Sequence, residues 1–417
     1  MKVVFINHSD SRGGASVVTF RLMQALVSAG VDARMVVTSK TTDSTRVAQI
    51  VPHWRVKASF LAEHAEIFVR DGFDRSNVFK ISTARYGLPL SDHPWVREAD
   101  VMALNWINQG MLSLKGIRDI AALGKPIVWT MHDQWNMTGV CHYTAGCERW
   151  KNTCGNCPLI ARGKRSTDLS TSVQKAKRRL YSEVPIHFVA VSNRLGELAR
   201  ASSLMTDARL SVIPNAFPID EFSPIPSIPR SELGLPDGKR LVVMGAARLD
   251  DPVKDFPTAI ESLNLVETPD VHAVFFGDLR DQTLLEKLKK EHTWLGPIDG
   301  DRVKALMSHA DIVLSTSVWE TLPGTIVEGI SSGAAAVATS NGGQSDIVTD
   351  GVTGYLATSA DPAEIARLID RALTLDFSPE GRQARHAEMA RRFAADAVAA
   401  RYLALFSQLT PANYIIR

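Results

Sequence analysis

Short apolar runs alternate with amphipathic helical segments along most of the chain, and this alternation limits the possible folds strongly. The first run, Lys2–Asn7, is continuously apolar after its lysine, as in a strand buried on both faces. The polar loop HSDSRGG follows, and then VVTFRLMQALVSAG, where apolar residues recur at helical spacing and Gly30 suits a C-cap. Strand and helix in this order predict a parallel sheet covered by helices.

The alternation occurs in two series, separated by a segment with five prolines, AFPIDEFSPIPSIPRSELGLPDG. Further strands are predicted at ARMVVTS, DVMALNWI, KPIVWTMH, IHFVAVSN and LSVIPN, and then at RLVVMGA, HAVFFGD, TWLG, DIVLSTS, AAAVATS and GVTGYLAT. In the second series we predict helices near FPTAIESL, TLLEKLKKEH, RVKALMSHA and TIVEGISSG, and a helical end from Asp361. The stretch from Pro52 to Pro94 is not assigned.

These patterns predict an α/β protein of two doubly wound, Rossmann-like domains facing a central cleft, with ligands at the carboxyl ends of the strands. The bounds are 1–215 for the N-terminal domain, which contains a cysteine-rich loop at 141–157, and 240–395 for the C-terminal domain. Residues 216–239 are expected to be a linker, and 396–417 a helix packing back on the N-terminal domain.

Composition narrows the function classes. The 417 residues carry a net charge of +2, so no overall field recruits nucleic acid. The start, MKVVFINHSD, is too short an apolar run for a signal peptide, and no apolar stretch is long enough to cross a membrane. We therefore expect a cytoplasmic protein, in which thiols are kept reduced.

Two acids at E-x7-E spacing flank a predicted helix start in WETLPGTIVEGISSG. Glu320 follows the strand DIVLSTS, and Glu328 lies one turn inside the next helix. Between them Leu322, Pro323 and Gly324 open the helix, whose free N–H groups favour phosphate. A carboxylate in such a turn can accept ribose hydroxyls. A capping role alone is the alternative for either acid.

Two cations follow the first strand of the second series, in GAARLDDPVKDF. Arg248 and Lys254 lie between a strand end and a helix, where they can clamp a diphosphate. The alternative is a solvated surface pair neutralised by Asp250, Asp251 and Asp255.

These motifs together resemble the donor site of GT-B fold, family 4 retaining glycosyltransferases. The resemblance rests on Arg248, Lys254, Gly277 in FFGD and the E-x7-E pair, and it extends to IPNAFPIDEF and GGAS. The segment HDQWNMTGVCHY…GCERW…CGNCP further resembles a WcaC-like subgroup in bacterial exopolysaccharide assembly. TLPG after Glu320 departs from the family's aromatic-glycine pair.

The resemblance implies roles for individual residues. Arg248 and Lys254 would bind the diphosphate, Glu328 the ribose, and Glu320 the transferred sugar. The backbone of Leu322, Pro323 and Gly324 would line the phosphate and sugar, and Gly13 and Gly14 would let the backbone approach the donor and acceptor. His132 would reach toward the anomeric centre; it is alternatively a packed partner of Asp133, or a metal ligand, as is His142.

The expected reaction moves a hexose or deoxyhexose from a GDP- or UDP-sugar to a saccharide or lipid-linked oligosaccharide, without a metal for catalysis. Retention of configuration is expected through front-side displacement. A sugar-nucleotide epimerase and a non-catalytic, metal-braced scaffold are the alternatives. A nicotinamide-linked oxidoreductase is disfavoured, because SDSRGGAS lacks the G-x-G-x-x-G run.

All four cysteines lie in one loop at C-x5-C-x6-C-x2-C spacing. Cys141, Cys147, Cys154 and Cys157 predict a closed, structural zinc site, with disulfides, a redox pair and free thiols as alternatives. A basic stretch follows at 162–179, containing Arg162, Lys164, Arg165, Lys175, Lys177, Arg178 and Arg179. It is interpreted as a solvated helix face, or as a surface that docks on anionic membranes; nucleic acid is disfavoured because aromatic residues are not interleaved.

Overall fold

The structure, a computed structural model, describes residues 1–50, 52–160 and 167–410. The chain forms two compact units. The first contains Met1–Ala216 and the chain from Val398 onward, and the second contains Phe217–Ala397. Of the predicted linker, residues 216–239, all but Ala216 lie within the second unit, where Leu233 and Leu235 are buried.

A seven-stranded sheet forms the centre of the first unit. Its strands are β1 (Lys2–Ser9), β2 (Asp32–Ser39), β3 (Val47–Gln49), β4 (Val101–Leu104), β5 (Ile127–Met131), β6 (Ile186–Ala190) and β7 (Arg209–Val212). They pair in the order β3-β2-β1-β4-β5-β6-β7, and every pair is parallel. The predicted strands are therefore confirmed, and β3 is a short addition at the edge.

Helices cover this sheet. They are α1 (Gly14–Ser28), α2 (His53–Arg70), α3 (Pro94–Glu98), α4 (Leu114–Ala121), α5 (Leu169–Glu183) and α6 (Asn193–Ala201). The stretch that the sequence analysis leaves unassigned therefore contains an 18-residue helix, α2. Only Glu63 and Ile67 of α2 are buried, so its apolar residues do not follow the core-facing pattern that predicts a helix.

The second unit contains a six-stranded sheet. Its strands are β8 (Arg240–Arg248), β9 (Val271–Asp278), β10 (His292–Trp294), β11 (Ile312–Ser315), β12 (Ala335–Thr339) and β13 (Gly354–Ala357). Their order is β10-β9-β8-β11-β12-β13, which is the doubly wound Rossmann order with a reversal between β8 and β11. The helices are α7 (Phe256–Leu265), α8 (Gly300–His309), α9 (Gly324–Ser331), α10 (Pro362–Ala372) and α11 (Pro379–Phe393).

One predicted helix of this unit is wrong. The segment TLLEKLKKEH forms only a short 3-10 helix, Gln282–Lys287, before β10 begins at His292. The side chain of Asn264 explains this: its amide donates to the Lys287 carbonyl at 2.9 Å and accepts from the Lys289 N–H at 2.7 Å. These bonds replace the helical pairing of the two backbone groups.

The last helix, α12 (Ala395–Leu409), begins in the second unit and continues in the first from Val398. Within the first unit, the hydroxyls of Tyr402 and Thr130 lie 3.0 Å apart, and Arg401 donates to the Val212 carbonyl at 2.7 Å. Both Tyr402 and Thr130 are buried, so α12 completes the packing of β5.

Gly277 has a structural reason to be glycine. It lies in β9 opposite the irregularity in β8 between Gly245 and Arg248, and its φ is +112°. A Cβ placed on Gly277 would lie 1.7 Å from the Ala246 carbonyl oxygen. The pairing of β8 with β9 therefore requires glycine here, whether or not a ligand lies near.

We predict that Gly277→Ala destabilises the protein by about 3 kcal/mol or more, because overlap with the Ala246 carbonyl adds to the cost of positive φ. Chemical denaturation of the full chain measures this. Gly238→Ala is the matched control: it also has positive φ, at +70°, but an added Cβ meets no described atom within 4 Å. We expect the control to cost about 1 kcal/mol, and equal losses in both variants would contradict the steric explanation.

Candidate functional site

The strand order of the second unit places two of the predicted ligand-binding loops side by side. The order reverses between β8 and β11, and in such sheets ligands bind outside the carboxyl ends of the strands at this point. Arg248 ends β8, and Glu320 lies in the loop that follows β11. The sequence prediction that both loops lie at strand ends is confirmed.

Lys254 and Glu320 form an ion pair. The Lys254 ammonium donates to Glu320 Oε1, which also accepts from the Ser317 hydroxyl at 3.0 Å. Both side chains are partly exposed, at 29% for Lys254 and 19% for Glu320. The Thr316 hydroxyl lies 2.9 Å from the carbonyls of both Lys254 and Asp255, and this joins the two loops. The structure thus brings into contact the lysine that is predicted to bind a diphosphate and the acid that is predicted to bind the sugar.

Arg248 is held within its own loop. Its guanidinium lies 3.4 Å from the Asp250 carboxylate and 3.2 Å from that of Asp251. The side chain is 36% exposed. Both carboxylates reduce the net charge that Arg248 offers to an anion. This agrees with the alternative in which the neighbouring aspartates neutralise a solvated surface cation. The same contacts fix the guanidinium at the end of β8, where the diphosphate hypothesis requires it.

The start of α9 lies beside the second acid of the E-x7-E pair. Pro323 is the N-cap residue, no side chain caps the helix, and Gly324 is the first helical residue. A Cβ placed on Gly324 would lie 3.2 Å from the Phe217 ring and 3.7 Å from Glu328 Oε1. Leu322 and Pro323 are buried. The Glu328 carboxylate and the first-turn N–H groups, which lack a side-chain cap, therefore lie at the same end of α9.

Sequence reasoning missed a third loop of this site. Gly342 and Gly343 follow β12, and the Gly343 N–H donates to the Glu320 carbonyl at 2.8 Å. A Cβ on Gly342 would lie 2.1 Å from that carbonyl oxygen, and one on Gly343 2.1 Å from the Thr321 carbonyl. The paired glycines directly after a predicted strand were the available signal, because they indicate close backbone approach.

His132 lies at the corresponding strand edge of the first unit, directly after β5. Its Nε2 is 3.0 Å from Asn105 Oδ1 and 3.4 Å from the Thr19 hydroxyl. Asn105 follows β4, which pairs with β5. Burial lowers the pKa of His132 from 6.5 to about 4, so the imidazole is neutral at neutral pH. A neutral imidazole whose Nε2 donates to Asn105 keeps Nδ1 as an acceptor.

His132 and Asp133 share no hydrogen bond in the described structure, although the Asp133 charge acts on the His132 ring. Asp133 instead accepts from His142 Nδ1 at 2.7 Å, from the Trp106 indole at 2.9 Å and from the Trp135 N–H at 2.8 Å. Burial alone would raise the pKa of Asp133, but the charge and hydrogen bond of His142 and the other donors hold it below its usual range. Since His142 Nε2 also contacts the Ser82 hydroxyl at 2.9 Å, both nitrogens of His142 have partners, which disfavours it as a metal ligand.

The start of α1 lies at the carboxyl edge of the same sheet. Gly13 is the N-cap with φ +87°, no side chain caps the helix, and Gly14 is the first helical residue. A Cβ on Gly14 would meet no described heavy atom within 4 Å. Packing within the described chain therefore does not account for Gly14, and its predicted role toward a ligand stays a prediction.

The four cysteines line one small cavity of about 20 Å³, together with Trp150 and Leu159. All four are free thiols in the structure. Burial raises the pKa of Cys141 to about 11 and that of Cys157 to about 12, which disfavours a reactive redox pair. Within residues 1–50, 52–160 and 167–410, no three His, Cys, Asp or Glu side chains are arranged to hold a metal ion. The structural zinc site therefore stays a prediction.

The interpretation of 162–179 as one basic surface needs correction. Arg162, Lys164 and Arg165 lie outside the described residues. Lys177, on α5, is fully buried: its ammonium donates to the carbonyls of Trp135 at 2.6 Å and Thr138 at 3.0 Å, and lies 3.3 Å from the centre of the Trp135 ring. Burial lowers its pKa well below the usual value. Lys177 therefore contributes to neither a solvated face nor a membrane surface.

Comparisons with known proteins agree with this geometry. Residues 229–393, which lie in the second unit, match the family model described as Glycosyl transferases group 1. HepE of Anabaena, solved in complex with UDP and glucose, superposes with a TM-score of 0.63 at 19% identity, covering 98% of this chain and 100% of HepE. The two Rossmann-like units have the GT-B fold.

Two curated proteins show sequence similarity over shorter stretches. WcaC of Escherichia coli strain K12, whose name assigns it provisionally to glycosyl transfer in colanic acid biosynthesis, is 26% identical over 194 residues, or 44% of this chain and 46% of WcaC. The gpi3 subunit of a phosphatidylinositol N-acetylglucosaminyltransferase from Schizosaccharomyces pombe is 25% identical over 181 residues, or 42% of this chain and 38% of that subunit. The chain thus matches less than half the length of these relatives.

The lowered pKa of His132 predicts a contribution to the pH dependence of stability. Between pH 6.5 and about pH 4 the unfolded state binds a proton that the folded state does not, so stability falls as the pH falls through this window. In His132→Gln we expect the loss of unfolding free energy between pH 6.5 and 5 to shrink by about 1–2 kcal/mol. Urea denaturation at the two pH values measures it. His53→Gln, on an exposed residue, is the control, and an unchanged pH dependence in His132→Gln would contradict the prediction.

The predicted zinc site is tested by metal analysis of protein purified without chelator. We expect about one equivalent of zinc per chain, because a bound ion would displace the protons of four thiols in one cavity. Cys154→Ser should lower the zinc content, while Ser182→Ala, at an exposed serine of α5 whose hydroxyl contacts only the Arg179 carbonyl of the same helix, should not. If the folded protein contained neither zinc nor iron, the zinc prediction would be wrong, and the four cysteines would be packed free thiols.

Proposed function

We propose that this chain is a retaining glycosyltransferase that moves a hexose or deoxyhexose from a nucleoside-diphosphate sugar to a saccharide acceptor. One observation carries the proposal: the Lys254–Glu320 ion pair lies in the same loop system as the uncapped start of α9 and the Glu328 carboxylate. This combination offers a cation and N–H donors to a diphosphate, and carboxylates to the hydroxyls of two sugars.

Each group matches one part of such a donor. Lys254, Arg248 and the first turn of α9 would bind the diphosphate, because all three favour negative charge. Glu328 would accept the ribose hydroxyls, and Glu320 those of the transferred sugar. HepE was solved with UDP and glucose, which supports a UDP-sugar, and a GDP-sugar is the other donor that we propose to test.

The ion pair suggests an order of events on donor binding. Without donor, the Lys254 ammonium and the Glu320 carboxylate neutralise each other. A diphosphate would draw Lys254 toward its oxygens, since it carries more negative charge than one carboxylate. Glu320 would then be released to accept sugar hydroxyls, while the Ser317 hydroxyl and the Gly343 contact keep its loop in place.

The proposed reaction is a front-side displacement. The bond between the anomeric carbon and the diphosphate oxygen breaks, the electron pair leaves with the diphosphate, and the acceptor oxygen forms the new bond on the same face. The acceptor proton passes to the leaving phosphate oxygen. Lys254, Arg248 and the α9 start would stabilise the developing charge. His132, which is neutral at neutral pH, would hydrogen-bond a sugar hydroxyl or phosphate oxygen. An inverted product anomer would refute this mechanism.

The acceptor that we propose is a growing bacterial polysaccharide, in saccharide or lipid-linked form, at the inner face of the cytoplasmic membrane. The likeness to WcaC, named for colanic acid biosynthesis, supports the polysaccharide. No helix within the described part of the chain is long and apolar enough to cross a membrane.

We predict that the purified chain binds one class of nucleotide sugar in calorimetry against UDP-, GDP-, dTDP- and ADP-sugars. Arg248→Ala and Glu328→Ala should each weaken binding by about 10- to 100-fold, because each removes a charge-assisted hydrogen bond. Glu261→Ala is the matched control, since Glu261 is an exposed carboxylate on α7 in the same unit. It should bind donor like the unsubstituted chain.

Other outcomes separate the alternatives. Conversion of the donor to another sugar nucleotide without acceptor would indicate an epimerase. A folded chain that binds no nucleotide sugar would overturn the proposal and leave a non-catalytic scaffold.

A further inference from the structure

Most of the exposed large hydrophobic residues of the described chain lie in α2 or shortly after it. Nine large hydrophobic side chains are exposed among the described residues, and five of them, Trp54, Leu61, Val69, Phe73 and Phe79, fall between positions 54 and 79. Scattered exposed apolar residues are ordinary on soluble proteins, but a concentration of them marks an interaction surface.

Three of these residues lie on one face of α2. Trp54, Leu61 and Val69 are separated by seven and eight residues, and Ala58 and Ala65 fill the intervening positions. Residues at this spacing share one helical face. The two alanines are exposed, as are Trp54 at 66%, Leu61 at 52% and Val69 at 55%. We call these five residues the α2 stripe. At 1.5 Å per residue it is about 22 Å long.

The acids of α2 point the other way. Glu63 is fully buried, and its Oε1 accepts from the N–H groups of Thr83 at 2.7 Å and Ala84 at 2.8 Å. The Glu66 side chain is only 11% exposed and pairs with Arg85 at 2.5 Å. Both carboxylates therefore fasten α2 to the body of the first unit, and neither lies on the exposed face.

The exposed charges around the stripe are basic. Arg55, Lys57 and Arg70 are exposed on α2, and Arg75 and Lys80 are exposed just after it. In the same segment Asp71 is buried, and Asp74, which is half-buried, accepts from the Ser76 N–H at 2.8 Å. Apolar residues with a tryptophan at one end, flanked by lysine and arginine, are the composition of a helix that lies in a membrane interface.

We propose that α2 docks the first unit on an anionic lipid surface, with the α2 stripe entering the interface and the flanking basic residues contacting lipid headgroups. The positive charge around the α2 stripe favours anionic lipid as the binding partner. A second copy of the chain would bring two basic surfaces together, whereas anionic lipid attracts each lysine and arginine near it. Long basic side chains can also extend their charges to the headgroups while their stems stay beside the apolar stripe.

The proposal does not depend on the donor site, because it uses no residue of the second unit. It also moves the membrane contact from 162–179, where Lys177 is buried, to 53–80. Donor binding and lipid binding can therefore fail separately in experiment.

Flotation of the full chain with vesicles tests the proposal. We expect binding to vesicles of phosphatidylglycerol mixed with phosphatidylcholine, weaker binding to phosphatidylcholine alone, and weakening by added salt. Arg55→Gln with Lys57→Gln should reduce binding about 10- to 30-fold. The matched control is Lys287→Gln with Lys289→Gln, two exposed lysines of the second unit, which should bind as the unsubstituted chain does.

A second pair of variants tests the apolar part. Trp54→Gln with Leu61→Gln should reduce vesicle binding at least 10-fold, while Ile225→Gln with Leu265→Gln, also exposed apolar residues, should not. Because Trp54 and Leu61 are exposed, these variants should fold and melt like the parent. Binding unchanged in both α2 variants would overturn the proposal. So would a dimer in solution that the stripe variants dissociate, since the stripe would then join two copies.

Discussion

Parallel pairing of the strands is the constraint on which the placement of the candidate site depends. Every pair among the described strands of both sheets is parallel, so the carboxyl ends of neighbouring strands share one edge. In the first unit this edge brings His132 to Asn105, which is 27 residues away in sequence. In the second it brings Lys254 to Glu320, 66 residues away. Both contacts depend on the order of the strands, because a change of strand order would separate His132 from Asn105 and Lys254 from Glu320.

The ion pair of Lys254 and Glu320 gives the second unit a site that is stable without ligand. Each charge is partly removed from water and would be costly alone, and the other charge offsets that cost. The pair is also partly exposed, so a stronger anion can compete for Lys254. Arg248, between two aspartates, is held in the same way. In the proposed donor site, charges that are neutralised by such partly exposed partners would remain available for exchange with a diphosphate.

Much of the fold could be predicted because buried parallel strands appear as continuous apolar runs. The E-x7-E spacing also located Glu320 and Glu328 around the start of α9. What the sequence could not provide were partners chosen by tertiary packing. Asp133 pairs with His142 and not with its neighbour His132, because the loop after β5 folds back. Lys177 belongs to a basic run in sequence, yet it is buried among carbonyls of that same loop. The helix α2 was not predicted for the opposite reason, since its large apolar residues Trp54, Leu61 and Val69 are exposed.

Hydrogen bonds fasten the cysteine-containing loop to α5 and to its N-cap residue, Asp168. The Cys154 N–H donates to Gln174 Oε1 at 2.8 Å, and the Cys157 N–H donates to Asp168 Oδ2 at 2.8 Å. Lys177 adds two bonds to the carbonyls of Trp135 and Thr138 nearer β5. The loop that continues from His132 is therefore fastened to α5 at both ends. A metal bound by the four thiols would stabilise this loop further. It is not needed to position His132, which directly follows β5 and contacts Asn105. The hydrogen bonds to α5 and Asp168 favour a supporting role for the cysteine-containing loop over a chemical one.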